Sequence, residues 1–203
     1  MTTQPSWTTR ALHLGMSVGI TLQLLLSTFM DKPRPGHVLP IWASLGFEVH
    51  EAIGILSLPI LLCWFIWLFL RKGEAGPQDL YPWYRRSALA AWYGSLKQAL
   101  SAWKAGRMPD AIDNERVARS VHGLGALCGL GMAVSGFVVW LGLNPQGEMT
   151  QWAQVSLSTH RLLANLMWFY WVGHGAMAIW HQLKGESTLH EMFQLRRSKR
   201  LTP

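Results

Sequence analysis

The sequence predicts an all-α integral membrane protein, built as a four-helix bundle that spans the bilayer. Four segments, at about 10–30, 46–70, 119–142 and 157–183, are almost free of charged side chains. Each is long enough to cross a hydrocarbon core of about 30 Å as a helix. The chain also contains 12 Trp in 203 residues, and indole rings favour the membrane–water interface. We expect one transmembrane domain over residues 1–203.

The distribution of positive charge predicts the orientation in the membrane. With four spans, both termini and the long loop, counted from Arg71 to Arg119, lie on one side, which then carries 15 of the 18 Lys and Arg residues. The other side holds only Lys32, Arg34 and Arg161. By the positive-inside rule, both termini are cytoplasmic and the protein is a multi-pass protein of a bacterial inner membrane. The net charge of +7 then reflects topology and contact with lipid, not nucleic acid binding.

The first two spans each carry a histidine near one end. His13 lies a few residues inside the cytoplasmic edge of the first span. His50 lies about twenty residues from Leu70, the end of the second span, which corresponds to roughly 30 Å of helix. The two histidines are therefore expected near opposite sides of the membrane.

The loop at 72–118 is predicted to contain an amphipathic helix. From Trp83 to Trp103, apolar residues recur every three or four positions, as in a helix with one apolar face. They are Leu89, Trp92, Tyr93, Leu96, Leu100 and Trp103, and they alternate with the cations Arg85, Arg86, Lys97 and Lys104. We expect this helix to lie on the cytoplasmic lipid surface. A docking surface for a partner subunit is the alternative interpretation.

The third span combines a histidine with a stripe of glycines. His122 lies near the cytoplasmic edge, and Gly125, Gly129 and Gly136 fall on the same side of the predicted helix. Such a groove, about 21 Å deep, allows helices to pack closely or leaves room for flat rings. Both interpretations fit the sequence.

The last span carries histidines near both sides of the membrane. His160 and His174 are fourteen residues apart, which places them within about 40° of one helical face and about 21 Å apart along the axis. His181 follows one heptad later on the same stripe. One imidazole near each side of the bilayer can hold a flat cofactor at each depth.

Sorting the histidines by depth indicates the cofactor. His50 and His160 share the outer level, whereas His13, His122 and His174 share the inner level. Haem fits better than zinc, because structural zinc sites need about four ligands in one tetrahedron. The sequence has no Cys-x-x-Cys-His motif, so the haem would be b-type and held noncovalently.

Two axial imidazoles leave no open position on the iron, and the implied chemistry is one-electron transfer. No residue is assigned a catalytic role beyond these ligands. A histidine-lined metal or proton transporter is the alternative from a different class, although the internal repeats and broken helices of many transporters are not evident in the sequence.

These motifs resemble the prokaryotic cytochrome b561 family of four-span, di-haem membrane cytochromes. The similarity covers all four spans. It is carried by His160-Arg-Leu-Leu-Ala-Asn-Leu, Gly-His174 and His181 in the last span, Val-His50-Glu-Ala-Ile-Gly54 in the second, and Val-His122-Gly-Leu-Gly with Ser-Gly136 in the third. The loop at 72–118 is longer than in compact members. His13 is followed by Leu14, where many relatives have Trp.

The resemblance implies two haem b groups with specific ligands. His13 and His174 would bind the iron of the cytoplasmic-side haem, and His50 and His160 that of the periplasmic-side haem. His122 would then contact a propionate, line a quinone pocket or replace His13.

The resemblance also implies a function. The protein would carry single electrons between a periplasmic-side donor or acceptor and the quinone pool, with ubiquinone as substrate and His181 and Lys184 beside the quinone. Two sharper versions are a superoxide:ubiquinone oxidoreductase and a cytochrome b anchor subunit of a larger dehydrogenase complex. Superoxide would be attracted by a basic outer surface, but that side offers only a few cations, so the sequence leaves the periplasmic redox partner open.

Overall fold

The computed structural model describes residues 5–106, 111–185 and 192, without the side chains of Trp103 and of residues 111–114. The regular elements of this part are all helical. They are α1 (Trp7–Leu26), α2 (Ile41–Leu70), α3 (Pro77–Leu80), a 3₁₀ turn (Pro82–Tyr84), α4 (Arg86–Lys104), α5 (Ala111–Gly142) and α6 (Gln151–Leu183). The predicted all-α class is therefore confirmed.

Two of the described helices are long and apolar enough to cross a membrane. They are α2 and the Glu115–Gly142 part of α5, whose most apolar 18-residue stretches have mean hydropathies of 2.5 and 2.0. The shorter α1 does not reach the same level, because it contains Arg10, His13 and Gln23. In α6 the three histidines lower the mean hydropathy in the same way.

Both of these less apolar helices still present apolar side chains outward. In α1, Val18, Leu22 and Leu25 are exposed at helical spacing. In α6, the exposed residues Leu162, Leu166, Phe169 and Val172 follow the same period. Stripes of this kind are the usual lipid-facing surface of a helix that contributes its polar face to a protein interior.

Helix boundaries differ from the prediction by a few residues. α1 ends at Leu26 instead of near residue 30, because the hydroxyls of Ser27 and Thr28 each donate to a carbonyl three residues earlier, at 2.7 Å. Such local bonds compete with continuation of the helix. α2, α5 and α6 begin at residues 41, 111 and 151, before their predicted membrane segments, since a helix can continue beyond the bilayer core.

The chain divides into two compact units, residues 1–64 with 128–203, and residues 65–127. In the first unit, four helices meet around Gly129 of α5. A Cβ atom at this position would lie 3.5 Å from Leu61 of α2, 3.7 Å from Met167 of α6 and 3.8 Å from Ile20 of α1. Leu61 and Met167 are almost fully buried. At this level the glycine stripe serves helix packing, one of the two roles that the sequence left open.

Hydrogen bonds between helices fix their register in the first unit. The Trp171 indole N–H of α6 donates to the Thr21 hydroxyl of α1 at 2.9 Å. The Ser156 hydroxyl of α6 donates to the Ser135 carbonyl of α5 at 2.9 Å. The Gln23 amide of α1 donates to the His50 carbonyl of α2 at 2.7 Å. Polar bonds of this type contribute about 1 kcal/mol each in membrane bundles.

The second unit is organised around the loop between α2 and α5. The Tyr81 ring stacks on Phe65, with centroids 6.4 Å apart, and meets Trp83 edge-on. The backbone at Leu80 lies so close to α5 that a Cβ atom at Gly123 would clash with the Leu80 carbonyl oxygen. Glycine is therefore required at this position. Burial raises the pKa of Tyr81 to about 12, so its hydroxyl stays neutral.

α4 occupies the position of the predicted amphipathic helix. Leu89, Tyr93 and Leu100 are exposed, whereas the indole N–H of Trp92 donates to the Ser120 hydroxyl of α5 at 2.9 Å. The helix thus presents apolar side chains outward and is joined to α5 through Trp92. The side chain of Trp103, predicted on the same apolar face, lies outside the described residues.

Candidate haem sites

His50 of α2 and His160 of α6 form one pair within the first unit. Their ring centroids are 6.3 Å apart, and the ring planes are inclined by 86°. When one nitrogen of each ring faces the other ring, this centroid spacing puts the two nitrogens about 4 Å apart. That distance equals two metal–nitrogen bonds of about 2 Å and exceeds a hydrogen bond of about 3 Å. The large inclination is compatible with a shared metal, because each ring can rotate about its own metal–nitrogen bond.

The His160 imidazole is held by groups from the neighbouring helix. Its Nδ1 atom lies 3.0 Å from the Met132 carbonyl oxygen and 3.1 Å from the Ser135 hydroxyl, both on α5. A carbonyl oxygen can only accept, so Nδ1 carries the proton and Nε2 keeps its lone pair. Metal-ligating histidines are typically oriented by such a bond through the other ring nitrogen.

Gly136 makes room for this imidazole. A Cβ atom at this position would lie 3.1 Å from His160 Cε1 and 3.4 Å from Nδ1. A larger side chain would therefore push the ring aside. At Gly136 the glycine therefore leaves room for the imidazole of a neighbouring helix.

A cavity adjoins the His50–His160 pair. Its volume is about 130 Å³. Its lining is mostly apolar and comes from α1, α2, α5 and α6, with Ile20, Gly54, Met132, Phe137 and Leu157 among the contributors. A flat, largely apolar ring system with histidine ligands suits the chemistry of this lining.

Two polar atoms beside this cavity are buried without a hydrogen-bond partner among the described residues. They are Nδ1 of His50 and Oε1 of Gln23. Unsatisfied polar groups in an apolar interior cost about 1–3 kcal/mol each. A bound group that engages them would offset this cost, so these atoms fit a ligand site better than a closed protein core.

His13 of α1 and His174 of α6 form a second pair with nearly the same spacing. Their centroids are 6.4 Å apart, at an inclination of 61°. The Tyr170 ring stacks on His174 at 5.3 Å and 7°, which fixes the plane of the imidazole. Ser17, one turn after His13, places its hydroxyl 3.5 Å from Nδ1 of that ring.

The two pairs are separate because α6 supplies one member of each. Fourteen residues of helix between His160 and His174 correspond to about 21 Å. Across the described residues, no group of three or more His, Cys, Asp or Glu side chains could hold a metal ion. Paired imidazoles fit the two axial positions of a haem iron, and they do not fit the tetrahedral sites of zinc.

The other predicted site residues are placed as follows. His122 belongs to the second unit, and its Nδ1 lies 2.6 Å from the Ala118 carbonyl, so its Nε2 atom keeps the lone pair. His181 lies in the last turn of α6, half-buried. Lys184 follows at the end of this helix, with its ammonium 5.3 Å from the Trp180 ring centroid.

The family described as prokaryotic cytochrome b561 matches residues 5–194, nearly the whole chain. The chain belongs to the prokaryotic cytochrome b561 family. This confirms the resemblance predicted from the histidine motifs. Among curated proteins and among solved structures, none matches the chain. Membership implies a transmembrane b-type cytochrome that takes part in electron transfer, with haem b as its cofactor.

Four groups beside the histidine pairs of this cytochrome were not identified from the sequence. They are the Gln23 amide, the Met132 carbonyl, the Ser135 hydroxyl and the Tyr170 ring. Gln23 and Ser135 are polar residues within apolar segments, which is a signal that could have singled them out. The Met132 carbonyl has no sequence signal, since every residue has one.

Proposed function

We propose that this cytochrome is a four-helix, di-haem protein that carries single electrons between the two sides of a bacterial inner membrane, with quinone as one reaction partner. The observation that supports this proposal is the pair of matched histidine spacings, 6.3 Å and 6.4 Å. When bound, the two haem groups supply one-electron redox chemistry at two depths.

The proposed bundle consists of α1, α2, α5 and α6. Its support is the convergence of side chains from α1, α2 and α6 on Gly129 of α5. The apolar outer stripes of α1 and α6 support their assignment as spans, alongside α2 and α5. With four spans the positive-inside rule again places both termini in the cytoplasm.

The proposed ligands are His50 with His160, and His13 with His174. For His160, the Met132 carbonyl fixes the tautomer, and Gly136 leaves space for the ring. For His174, stacking on Tyr170 fixes the ring plane. The protein thus orients the imidazoles before the cofactor binds, which lowers the entropy cost of binding.

The proposal is tested by the haem content of the purified protein. We expect two noncovalent haem b groups per chain, extracted by acid–acetone and measured as the pyridine haemochrome against the protein concentration. The reduced protein should also show a low-spin spectrum, because both axial positions are filled. A ratio near zero would refute the proposal, and a ratio of one would mean that one histidine pair is assigned wrongly.

We further propose that quinone reacts at the end of α6, beside the His13–His174 pair. His181 lies one heptad beyond His174, and Lys184 follows one turn later. An imidazole at the edge of the membrane can donate a hydrogen bond to a quinone carbonyl and exchange protons with water. Reduction of quinone takes up protons as well as electrons, so a titratable group is suited to this position.

Replacing His181 by alanine is expected to slow reoxidation of the reduced protein by a ubiquinone analogue about tenfold or more, since the quinone loses a hydrogen bond at the reacting carbonyl. Stopped-flow measurement of the haem absorbance gives this rate. The haem spectrum should not change. The matched control is His37→Ala, which removes an exposed loop histidine. Equal rates in the two variants would place the quinone elsewhere.

The donor or acceptor on the periplasmic side is left open by this proposal. Superoxide steering would need cations on that side, and Arg34 is already paired with Asp31 at 3.0 Å. An anchor role in a larger dehydrogenase would use the same haem groups and the same quinone. The paired arrangement of the histidines supports electron transfer over the alternative of a metal or proton transporter.

A further inference from the structure

A second cavity, formed by other residues than the histidine sites, lies within the second unit. Its volume is about 250 Å³. Its lining comes from α3, α4, α5 and the turn between α3 and α4, and it includes Asp79, Arg85, Ser87, Trp92, Arg116 and Arg119. Three arginines around one cavity make an anionic ligand the natural occupant.

The charge of the cavity is only partly neutralised from within. Arg119 is engaged by Asp79 at 3.9 Å and by Glu115 at 2.5 Å. The Arg85 guanidinium donates to the neutral amide oxygen of Gln78 at 3.4 Å. Arg116 makes no ion pair with any side chain in the described part of the chain. Among the described side chains, neither guanidinium group is therefore paired with a carboxylate.

The beginning of α4 adds donors to the same cavity. Ser87 and Ala88, in the first turn of α4, line it. The first N–H groups of a helix have no partner within the helix, and the helix dipole makes this end positive. No acidic side chain occupies the first turn. Unpaired N–H groups together with arginines form the usual environment of a phosphate group.

The position of the cavity along the chain points to the membrane surface. Arg116 and Arg119 lie in the turn before Ser120, where the uncharged part of α5 begins. Trp83 and Tyr93, beside and within α4, are exposed aromatic residues, and such residues favour the headgroup level. Lipid phosphates are found at this depth, as are soluble phosphates that approach from water.

We propose that this cavity binds a phosphate group, through Arg85, Arg116 and the first turn of α4. Arg119, held by two carboxylates, forms the wall of the cavity. The phosphate belongs either to an anionic lipid headgroup or to a soluble phosphate compound. The cavity contains none of the proposed haem ligands, and the proposal does not depend on the assignment of the haems.

The test compares three variants of the full-length protein. The double variant Arg85→Gln/Arg116→Gln removes both guanidinium groups. The double variant Lys97→Gln/Lys104→Gln is the matched control. It removes the same amount of positive charge as the cavity variant, but at residues of α4 that do not line the cavity. The variant Arg85→Lys/Arg116→Lys keeps the charge but removes the planar fork of donors. Far-UV circular dichroism checks that each variant is folded.

Two probes distinguish the sources of the phosphate. In the lipid arm, the protein is reconstituted in nanodiscs of phosphatidylglycerol and phosphatidylcholine in equal amounts, and native mass spectrometry measures which lipid it retains. In the soluble arm, pyrophosphate is titrated into the protein in an uncharged detergent by calorimetry. We expect the glutamine cavity variant to lose affinity for the bound probe at least about tenfold, and the control to stay within about twofold.

Each outcome decides the proposal. Selective retention of phosphatidylglycerol that is lost in the cavity variant alone supports a lipid phosphate. Binding of pyrophosphate with the same pattern supports a soluble phosphate. Equal losses in the cavity variant and the control would show diffuse surface charge and overturn the site, as would failure of the wild-type protein to bind either probe. If the glutamine variant does not fold, the lysine variant, expected to weaken binding severalfold, decides in its place.

Discussion

The His160→Ala variant is expected to retain one haem per chain instead of two. The substitution removes one of the two imidazoles of the His50–His160 pair, whereas the His13–His174 pair stays intact. Removing a group that only orients a metal ligand already weakens metal binding roughly 10–100-fold, so removal of the ligand itself should exceed this. Haem content by pyridine haemochrome and the low-spin signals in electron paramagnetic resonance give the result.

Two further variants make this prediction specific to the geometry. His50→Ala should remove the same haem, because it deletes the opposite ligand. Gly136→Leu should also remove it while both histidines remain, because even a Cβ atom would lie 3.1 Å from the His160 ring. His37→Ala is the control and should keep both haems. Retention of two low-spin haems in the His160 and His50 variants would contradict the proposed pair.

The His13→Ala and His174→Ala variants are each expected to lose the other haem, the one assigned to the His13–His174 pair. The ring centroids of this pair are 6.4 Å apart, close to the spacing of the first pair. Because the two rings are proposed to bind one iron, each deletion would leave that iron with one strong axial ligand. The remaining haem should keep the spectrum of the His50–His160 site. The same measurements of haem content and low-spin signals report the loss.

His122→Ala is the decisive comparison for this second haem. The sequence left His122 as an alternative ligand to His13, and its Nδ1 atom lies 2.6 Å from the Ala118 carbonyl oxygen. We expect His122→Ala to retain two haems with unchanged low-spin signals. The opposite result, with loss of a haem in His122→Ala and retention in His13→Ala, would exchange the roles of the two residues.

The class of the fold and the family could be predicted from the sequence because both depend on patterns along single helices. Segments of about 20 uncharged residues have few alternatives to a membrane helix. The fourteen-residue interval between His160 and His174 follows helical periodicity and needs no knowledge of neighbours. Helix ends were less predictable: α1 ends at Leu26 because of side-chain hydrogen bonds at Ser27 and Thr28.

Which histidine rings lie close together could be predicted only in part from the sequence. Depth along the helices grouped His50 with His160, but it left three histidines at the other level. The structure brings His13 to 6.4 Å from His174, a relation between helices distant in the chain. The same holds for the Gln23 amide on the His50 carbonyl and for the Met132 carbonyl on His160.

The glycine stripe of α5 shows most clearly what only the tertiary structure decided. From the sequence, Gly129 and Gly136 were equivalent positions for packing or for flat rings. In the structure, Gly129 is surrounded by aliphatic side chains of three helices, and Gly136 lies against the His160 imidazole. The reason is physical: a glycine specifies only that space is left free. Which group fills the space depends on the rotation and register of the neighbouring helices, and the sequence of one helix does not contain this information.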